Sequence, residues 1–152
     1  MIEFSGPVWR ILFRTHSDAP LAPARAPEGR FHYAGQTALY ASLSAEGAEV
    51  AIRRYVSRDD PPRILQRARI TEARLVDFRG QPEASIVWQD IAKACGRSPT
   101  WKFSDKARAL GADGMIYSSR SRPQLSHVVL FRTSARLICV DAPSETWVPA
   151  YS

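Results

Sequence analysis

Short apolar runs, each typical of a β-strand, recur along the sequence and constrain the fold more than any other feature. Most of them alternate apolar and polar side chains in part, as strands with one buried face do. We expect two of them, RFHY and ALYAS, to pair as a hairpin across the link AGQT. The predicted strands are VWRILFR (8–14), RFHY (30–33), ALYAS (38–42), ILQRARI (64–70), ARLVDFR (73–79), GMIYSS (114–119), HVVLF (127–131) and RLICV (136–140).

Three segments between these strands carry helix signals. Ser44 is a good N-cap for a helix over residues 45–56. Two more helices are expected over 83–96, which ends in glycine, and over 104–110, which starts at a serine cap and is stopped by a glycine. More strands than helices, in mixed order, predict the α+β class. We expect a bent, mostly antiparallel sheet with helices packed against it, in a single domain over residues 1–152.

The charge of the chain favours anionic partners. The formal net charge is +6 and the sequence pI is about 9.8, which suits nucleic acid, a nucleotide or an acidic protein. Most of the basic residues are arginine, the better bidentate partner for phosphate and carboxylate. Codon drift in a GC-rich genome would produce the same preference for arginine over lysine.

The motifs of several large enzyme classes are absent from the sequence. It contains no P-loop, no GxGxxG after a strand, no HExxH and no GxSxG. The three histidines and two cysteines lack metal-site spacing, so we expect no metal and a reducing compartment. No apolar run approaches the roughly 20 residues that span a bilayer, and no signal-peptide pattern is present. These absences predict a cytoplasmic protein without a membrane partner.

Five side chains from two predicted strands and a helix start form a mixture that a plain apolar core does not need. Arg30 and His32 alternate along one predicted strand and so share a face, as do Tyr40 and Ser42 on the next. Glu46 follows in the first turn of the helix. We therefore expect a cation, an aromatic ring, a hydroxyl and a carboxylate to meet in one pocket.

Such a set suits cleavage of the nicotinamide–ribose bond of NAD+ as a substrate. That reaction develops positive charge on the ribose, as glycoside cleavage does, and a nearby carboxylate such as Glu46 stabilises the charge. An arginine can clamp the pyrophosphate, and a tyrosine offers the nicotinamide ring a flat surface. Each residue also has a structural alternative: a solvated arginine, a packed tyrosine, a satisfied buried histidine, or a glutamate that only complements the helix dipole.

The order of three motifs resembles that of the RES domain, over about residues 7–133. They are VWRI (8–11), GRFHYAGQTALYAS (29–42) and ADGMIYSSR (112–120), the last followed by HVVLF. The resemblance implies a toxin of a bacterial type II toxin–antitoxin pair, with a fold similar to ADP-ribosyltransferase toxins of the diphtheria-toxin type. It implies an activity that degrades NAD+ or transfers ADP-ribose to a protein target. It also implies a cognate Xre-family antitoxin, whose DNA-binding domain would provide the only link to nucleic acid.

The resemblance also assigns roles to residues. The family arginine falls on Arg30, a second pocket arginine on Arg10, the strand tyrosine on Tyr40 and the family serine on Ser119. The catalytic residues are thus expected to be Glu46, Arg30 and Tyr40. The residues expected to bind NAD+ are Arg10, Arg30, His32, Tyr40, Ser42 and Ser119.

The glutamate is the point at which this chain departs from the family pattern. Many RES sequences carry it in the helix after the strand tyrosine, at the position of Ala51 here. We expect Glu46 to act instead because it follows the end of the strand directly and begins the helix. Glu49, one helical turn further on, is the alternative.

Two other classes of function stay open: a basic nucleic-acid-binding module or ribonuclease toxin, and an inactive partner-binding domain. Whether the ADP-ribose acceptor is water, phosphate or a protein stays open as well.

Overall fold

The computed structural model describes residues 1–85 and 98–149. Over these residues the chain has a mixed α+β fold with few helices, as the sequence predicted. The strands are β1 (Ile2–Phe13), β2 (Leu39–Ser42), β3 (Arg63–Asp77), β4 (Gly114–Ser118), β5 (Ser126–Leu130), β6 (Ile138–Val140) and β7 (Glu145–Trp147). The helices are α1 (Ala45–Ile52) and α2 (Trp101–Ala109), and 3-10 turns lie at Arg14–His16, Arg53–Tyr55 and Pro82–Ser85.

The strands form one sheet that closes on itself. Its order is β1-β2-β5-β4-β3-β6, β7 pairs with β3, and β1 also pairs with β3. Every pairing is antiparallel except that of β3 with β4. The path from β1 through β2, β5, β4 and β3 therefore returns to β1, and such closure requires the long strands to curve.

β3 is one continuous strand where the sequence suggested two with a break between them. The position of the expected break is Glu72, whose φ is 49°. Opposite it, the pairing with β1 shifts register between Phe4 and Gly6, and the Glu72 amide donates to Ser5 Oγ at 2.8 Å. The irregularity is thus a bulge that bends the strand without ending it.

The predicted strand over residues 30–33 is wrong. Its backbone makes only one bridge, between Gly29 and His32, in which the Gly29 amide donates to the His32 carbonyl at 2.9 Å. The Phe31 amide donates instead to the hydroxyl of Tyr40 at 2.9 Å. Side chains therefore take the hydrogen bonds that a strand ladder would have used, and the segment forms a tight turn.

The first predicted helix is confirmed in its start and is shorter than expected. Ser44 Oγ accepts a hydrogen bond from the Gly47 amide at 2.9 Å, so Ser44 is the N-cap. The α-helix ends at Ile52, and the remaining expected residues form the 3-10 turn Arg53–Tyr55.

The helix expected over 104–110 begins earlier than the sequence indicated. It starts at Trp101, and Ser104 lies inside it, where its hydroxyl donates to the Trp101 carbonyl at 3.1 Å. The stop at Gly111 is confirmed by a φ of 74°. The helix expected over 83–96 lies mostly outside the described residues. Neither α1 nor α2, the helices of the described ranges, is long and apolar enough to cross a membrane.

Alternating side chains along the central strands divide the apolar core in two. One cluster draws on all five strands of the ring, and the other joins β4 and β5 to α2. The first includes Val8, Leu39, Ile70, Leu75, Ile116, Val128 and Leu130. The second includes Phe31, Phe78, Phe103, Ala107, Met115, Tyr117 and Val129. Full burial of such large apolar side chains contributes about 1.5–3 kcal/mol each, and the second cluster attaches α2 to the sheet.

β4 and β5 approach each other too closely at Gly114 to admit a side chain. A Cβ atom at this position would lie 2.1 Å from the carbonyl oxygen of Val129. We expect Gly114→Ala to push the strands apart and to lower the free energy of unfolding by about 1–3 kcal/mol. In urea denaturation, Gly114→Ala should unfold at a lower midpoint concentration than the natural protein. The control, Ala34→Ser, changes an exposed position and should leave the midpoint unchanged. An unchanged midpoint for Gly114→Ala would contradict this close approach.

Candidate functional site

A row of polar side chains crosses three neighbouring strands on the sheet face that carries α2. Ser42 of β2 is in register with His127 of β5, and His127 is in register with Tyr117 of β4. Residues directly opposite on adjacent strands share a face and lie side by side. Ser42 Oγ lies 2.7 Å from His127 Nδ1, and the rings of His127 and Tyr117 are 5.5 Å apart.

A cleft of about 340 Å³ opens over this row. Its walls come from the turn around residues 28–30, the C-terminal half of α1 and the loop 119–121 after β4. A second cleft of about 190 Å³ adjoins it and shares Tyr40, Tyr117 and His127. Tyr117 and His127 of this row thus form a common floor beneath both clefts.

His127 is neutral at pH 7 and presents one nitrogen to the clefts. Its side chain is buried, and burial together with the charge of Arg30 lowers the pKa of His127 to about 4. Nδ1 is engaged by Ser42, whereas Nε2 has no hydrogen bond to the described residues. Every fully buried side-chain nitrogen or oxygen atom in the described ranges has a partner, so Nε2 is accessible from the cleft. Nε2 can donate one hydrogen bond to a ligand if it carries the proton, or accept one if Nδ1 carries it.

Arg30 and Tyr117 also carry polar groups that form no hydrogen bond to the described residues. The Arg30 guanidinium carbon lies 5.8 Å from the centre of the Tyr117 ring, and no ion pair or hydrogen bond to the described residues engages that guanidinium. Burial raises the pKa of Tyr117 to about 12, so its hydroxyl keeps its proton. This hydroxyl has no partner among residues 1–85 and 98–149 and, by the same reasoning as His127 Nε2, is accessible from the cleft. A guanidinium, a phenol and an imidazole therefore converge on one space.

The backbone that carries Arg30 is held by side chains of α2 and of Thr100, the residue before it. Three consecutive carbonyls, those of residues 29–31, accept hydrogen bonds from side chains. Trp101 Nε1 donates to the first at 2.8 Å, Thr100 Oγ1 to the second and Arg108 Nη1 to the third at 2.9 Å. Arg30 is therefore presented to the cleft from a fixed main chain.

His32 and Tyr40 line the cleft but use their polar atoms internally. Tyr40 Oη lies 2.7 Å from His32 Nδ1, and His32 Nε2 lies 2.9 Å from the carbonyl oxygen of Ala26. Because that carbonyl can only accept, Nε2 carries the proton and Nδ1 accepts from Tyr40. Burial raises the pKa of Tyr40 far above its ordinary value. A Cβ atom at Gly29 would lie 2.4 Å from His32 Cε1, so only glycine fits beside this pair.

Arg10 lines the smaller cleft, and its hydrogen bonds point inward. Its Nε donates to the Tyr40 carbonyl at 2.9 Å, and Nη1 donates to the carbonyls of Pro20 and Ala22 at 2.5 and 3.3 Å. Burial lowers the pKa of Arg10 to about 10, which leaves it charged at pH 7. Arg10 thus ties the proline-rich segment 15–29 to β2.

The expected meeting of Glu46 with Arg30 does not occur in the structure. The Glu46 side chain is 56% exposed and pairs with Arg122, Oε1 to Nη2, at 2.9 Å. Neither Glu46 nor Glu49 contributes to the walls of the two clefts, whereas Ala51 lines both. Glu46 thus pairs with the loop after β4, whereas the C-terminal residues of α1, Val50, Ala51 and Ile52, line the larger cleft.

Ser119, the residue on which the family serine falls, lies in the wall of the larger cleft. Its side chain is 3% exposed, and its Oγ accepts from the Arg122 amide at 3.3 Å. Its hydroxyl proton is left for another acceptor, because Oγ acts only as an acceptor in that contact.

Sequence reasoning missed three residues that the structure places in this region. Tyr117 and His127 stand in otherwise apolar strand runs, and only the register between strands brings them together. Glu28 precedes the Gly-Arg pair and lines the larger cleft with Arg54 and Arg120. For Tyr117 and His127, the signal available in the sequence was a polar side chain inside an apolar run.

Comparison with known proteins identifies both a family and a structural neighbour. The model of the RES domain matches residues 7–149. The structure is similar to a chain in the M. tuberculosis MbcT–MbcA toxin–antitoxin complex, with a TM-score of 0.70 and 17% sequence identity. The alignment covers 97% of this chain and 87% of that chain, and at this identity it shows a shared fold. No match was found among curated proteins.

The neutral state of His127 makes stability depend on pH. The pKa of a histidine is 6.5 in the unfolded chain and about 4 at folded His127. Between these values the unfolded state binds more protons, so the free energy of unfolding falls as the pH drops from 6.5 to 4. The fall attributable to this residue is on the order of 3 kcal/mol.

Urea denaturation at pH 7.5 and 4.5 should therefore show a larger loss of stability for the natural protein than for His127→Gln, which does not titrate. Equal losses in the two proteins would show that His127 does not stay neutral in the fold.

Proposed function

The chain belongs to the RES domain family, and from this we propose that it is the toxin of a type II toxin–antitoxin pair that cleaves the nicotinamide–ribose bond of NAD+. The family match confirms the resemblance seen in the sequence. The observation that carries the proposal is the cleft in which Arg30, Tyr117 and His127 present, side by side, polar atoms that have no hydrogen bond to the described residues. The acceptor of ADP-ribose would be a protein target, water or phosphate, and the fold would be of the ADP-ribosyltransferase kind.

The charge and size of the cleft support a nucleotide ligand. Among the described residues, its walls carry three arginines, Arg30, Arg54 and Arg120, against one carboxylate, that of Glu28. Guanidinium groups bind the oxygens of a diphosphate bidentately. The volume of about 340 Å³ falls within the usual range for small-molecule sites, about 300–1,000 Å³. Tyr55, which is 57% exposed, adds an aromatic surface at the rim.

The polar groups on the floor of the cleft suit the chemistry of this bond. Nicotinamide leaves as a neutral molecule and needs no general acid, so what the protein must supply is orientation and charge stabilisation at the ribose. The His127 Nε2 atom and the Tyr117 hydroxyl can hold ribose hydroxyls by hydrogen bonds. Arg30 would bind the diphosphate and so fix the position of the ribose relative to it.

One observation favours a second function, that of a domain that binds nucleotide or a partner without cleavage. Ala51 lines the cleft where many RES sequences carry glutamate, and the Glu46 carboxylate is paired with Arg122. Nicotinamide release from NAD+ by the purified protein distinguishes the two functions. NAD+ binding without release would identify the second.

The Arg30 guanidinium gives the first prediction from this proposal. Arg30→Lys keeps the charge and loses the bidentate fork, so nicotinamide release should fall on the order of tenfold. The matched control is Arg58→Lys, because Arg58 is exposed and lies outside both clefts. Chromatographic measurement of nicotinamide should show no change for the control. Full activity of Arg30→Lys would remove Arg30 from the proposed site.

The same arginines make the cleft the expected docking point of an antitoxin. The proposed partner is an Xre-family antitoxin that carries a DNA-binding domain and inserts an acidic segment, which complementary charge would steer towards the cleft. Arg120→Glu should slow association by about tenfold at low salt, with less effect at high salt. Arg58→Glu makes the same charge change away from the cleft and serves as the control. Equal effects of the two changes in surface-binding kinetics would place the partner elsewhere.

A further inference from the structure

We propose that Glu28 is the carboxylate that stabilises the positive charge on the ribose during bond cleavage. This inference rests on the proposed NAD+ cleavage and adds the residue that the reaction lacks. Among the residues of the described ranges that form the wall of the larger cleft, Glu28 is the one with a carboxylate.

The backbone next to Glu28 is fixed on both sides of the following residue. The Gly29 amide donates to the His32 carbonyl at 2.9 Å, and the Gly29 carbonyl accepts from Trp101 Nε1 at 2.8 Å. His32 is 2% exposed and is itself held by Tyr40. Glu28 therefore directly precedes an anchored residue, and it lines the cleft from that position.

The Glu28 carboxylate is also uncommitted. No ion pair or hydrogen bond within residues 1–85 and 98–149 engages it, although Arg30 lies two positions away along the chain. The Glu46 carboxylate, in contrast, is paired with Arg122 at 2.9 Å outside the cleft. Glu49 does not contribute to the cleft wall. Of these three acids, Glu28 alone combines an unpaired carboxylate with a place at the site.

The two kinds of charge that line the cleft suit different parts of the substrate. Three arginines suit the two negative charges of the diphosphate, and a single carboxylate suits the single positive charge that develops at the ribose. The nicotinamide ribose would therefore lie beside Glu28, and the diphosphate beside Arg30, Arg54 and Arg120. Tyr117 and His127 would lie beneath the sugar.

The reaction step balances without any further co-reactant than water. The bond between ribose C1′ and the nicotinamide nitrogen breaks, and its electron pair stays on that nitrogen, which makes nicotinamide neutral. The ionised Glu28 carboxylate stabilises the resulting oxocarbenium ion and forms no covalent bond with it. Water then bonds to C1′ and releases one proton to solvent, which yields ADP-ribose.

The test compares three neutral substitutions, Glu28→Gln, Glu46→Gln and Glu49→Gln. Glu28→Gln should lower the rate of nicotinamide release by about 100-fold, the typical effect of removing one charge-stabilising group. Calorimetry should show that its affinity for ADP-ribose changes by less than about threefold, because the lost charge acts on the transition state. Glu46→Gln and Glu49→Gln should keep the activity of the natural protein. If either of these is the inactive variant while Glu28→Gln stays active, the assignment to Glu28 is overturned.

A rescue variant separates a lost charge from a disturbed turn. Ala51 lines the same cleft from α1, so Ala51→Glu added to Glu28→Gln brings a carboxylate to the site from another element. Recovery of at least about tenfold in nicotinamide release supports a role for charge at this site. No recovery together with a lowered melting temperature of Glu28→Gln would show that Glu28 only stabilises the turn. If the natural protein releases no nicotinamide, the proposed function itself fails, whereas an active natural protein with an active Glu28→Gln refutes only this inference.

Discussion

The site depends on one constraint, which is that three consecutive carbonyls of the turn at residues 29–31 are held by side chains of α2 and of the residue before it. The donors are Trp101, Thr100 and Arg108. A tight turn that leaves the sheet has no strand partner for these carbonyls, and leaving buried carbonyls unpaired is costly. α2 therefore determines where the turn lies, and through the turn it determines where Arg30 and Glu28 meet the floor formed by β2, β4 and β5. Packing of Phe103 and Ala107 against the sheet secures α2 in turn.

The sequence predicted most of the strands because their apolar alternation is a local property. VWRILFR, GMIYSS, HVVLF and RLICV all lie on or across observed strands. The prediction failed at RFHY, where the pattern is equally strand-like. The backbone groups of Arg30 and Phe31 bond to Tyr40, Thr100 and Arg108, which are 9 to 77 residues away along the chain. A preference read from neighbouring residues contains no information on such partners.

The sequence also predicted only part of the candidate site. Arg30, His32, Tyr40 and Ser119 were selected from motifs, and all four line the larger cleft. Ser42, also selected, instead supports the floor through His127. Tyr117 and His127 were not selected, because a residue's neighbour across a sheet follows from strand order and register, which one sequence does not reveal. The carboxylate was sought after Tyr40, in the helix, while the structure brings an acid to the cleft from the preceding loop.

The lack of space at Gly29 affects how natural variation in this chain should be interpreted. Any side chain there would collide with the His32–Tyr40 pair, so the turn would move and carry its neighbours away from the cleft. A screen for cells that survive expression of the protein would therefore recover changes at Gly29 as readily as changes at residues that touch a ligand. Surviving cells with changes at Gly29 would identify the residues that hold the site in place. The positions at which substitution removes activity would therefore outnumber the residues that contact the ligand.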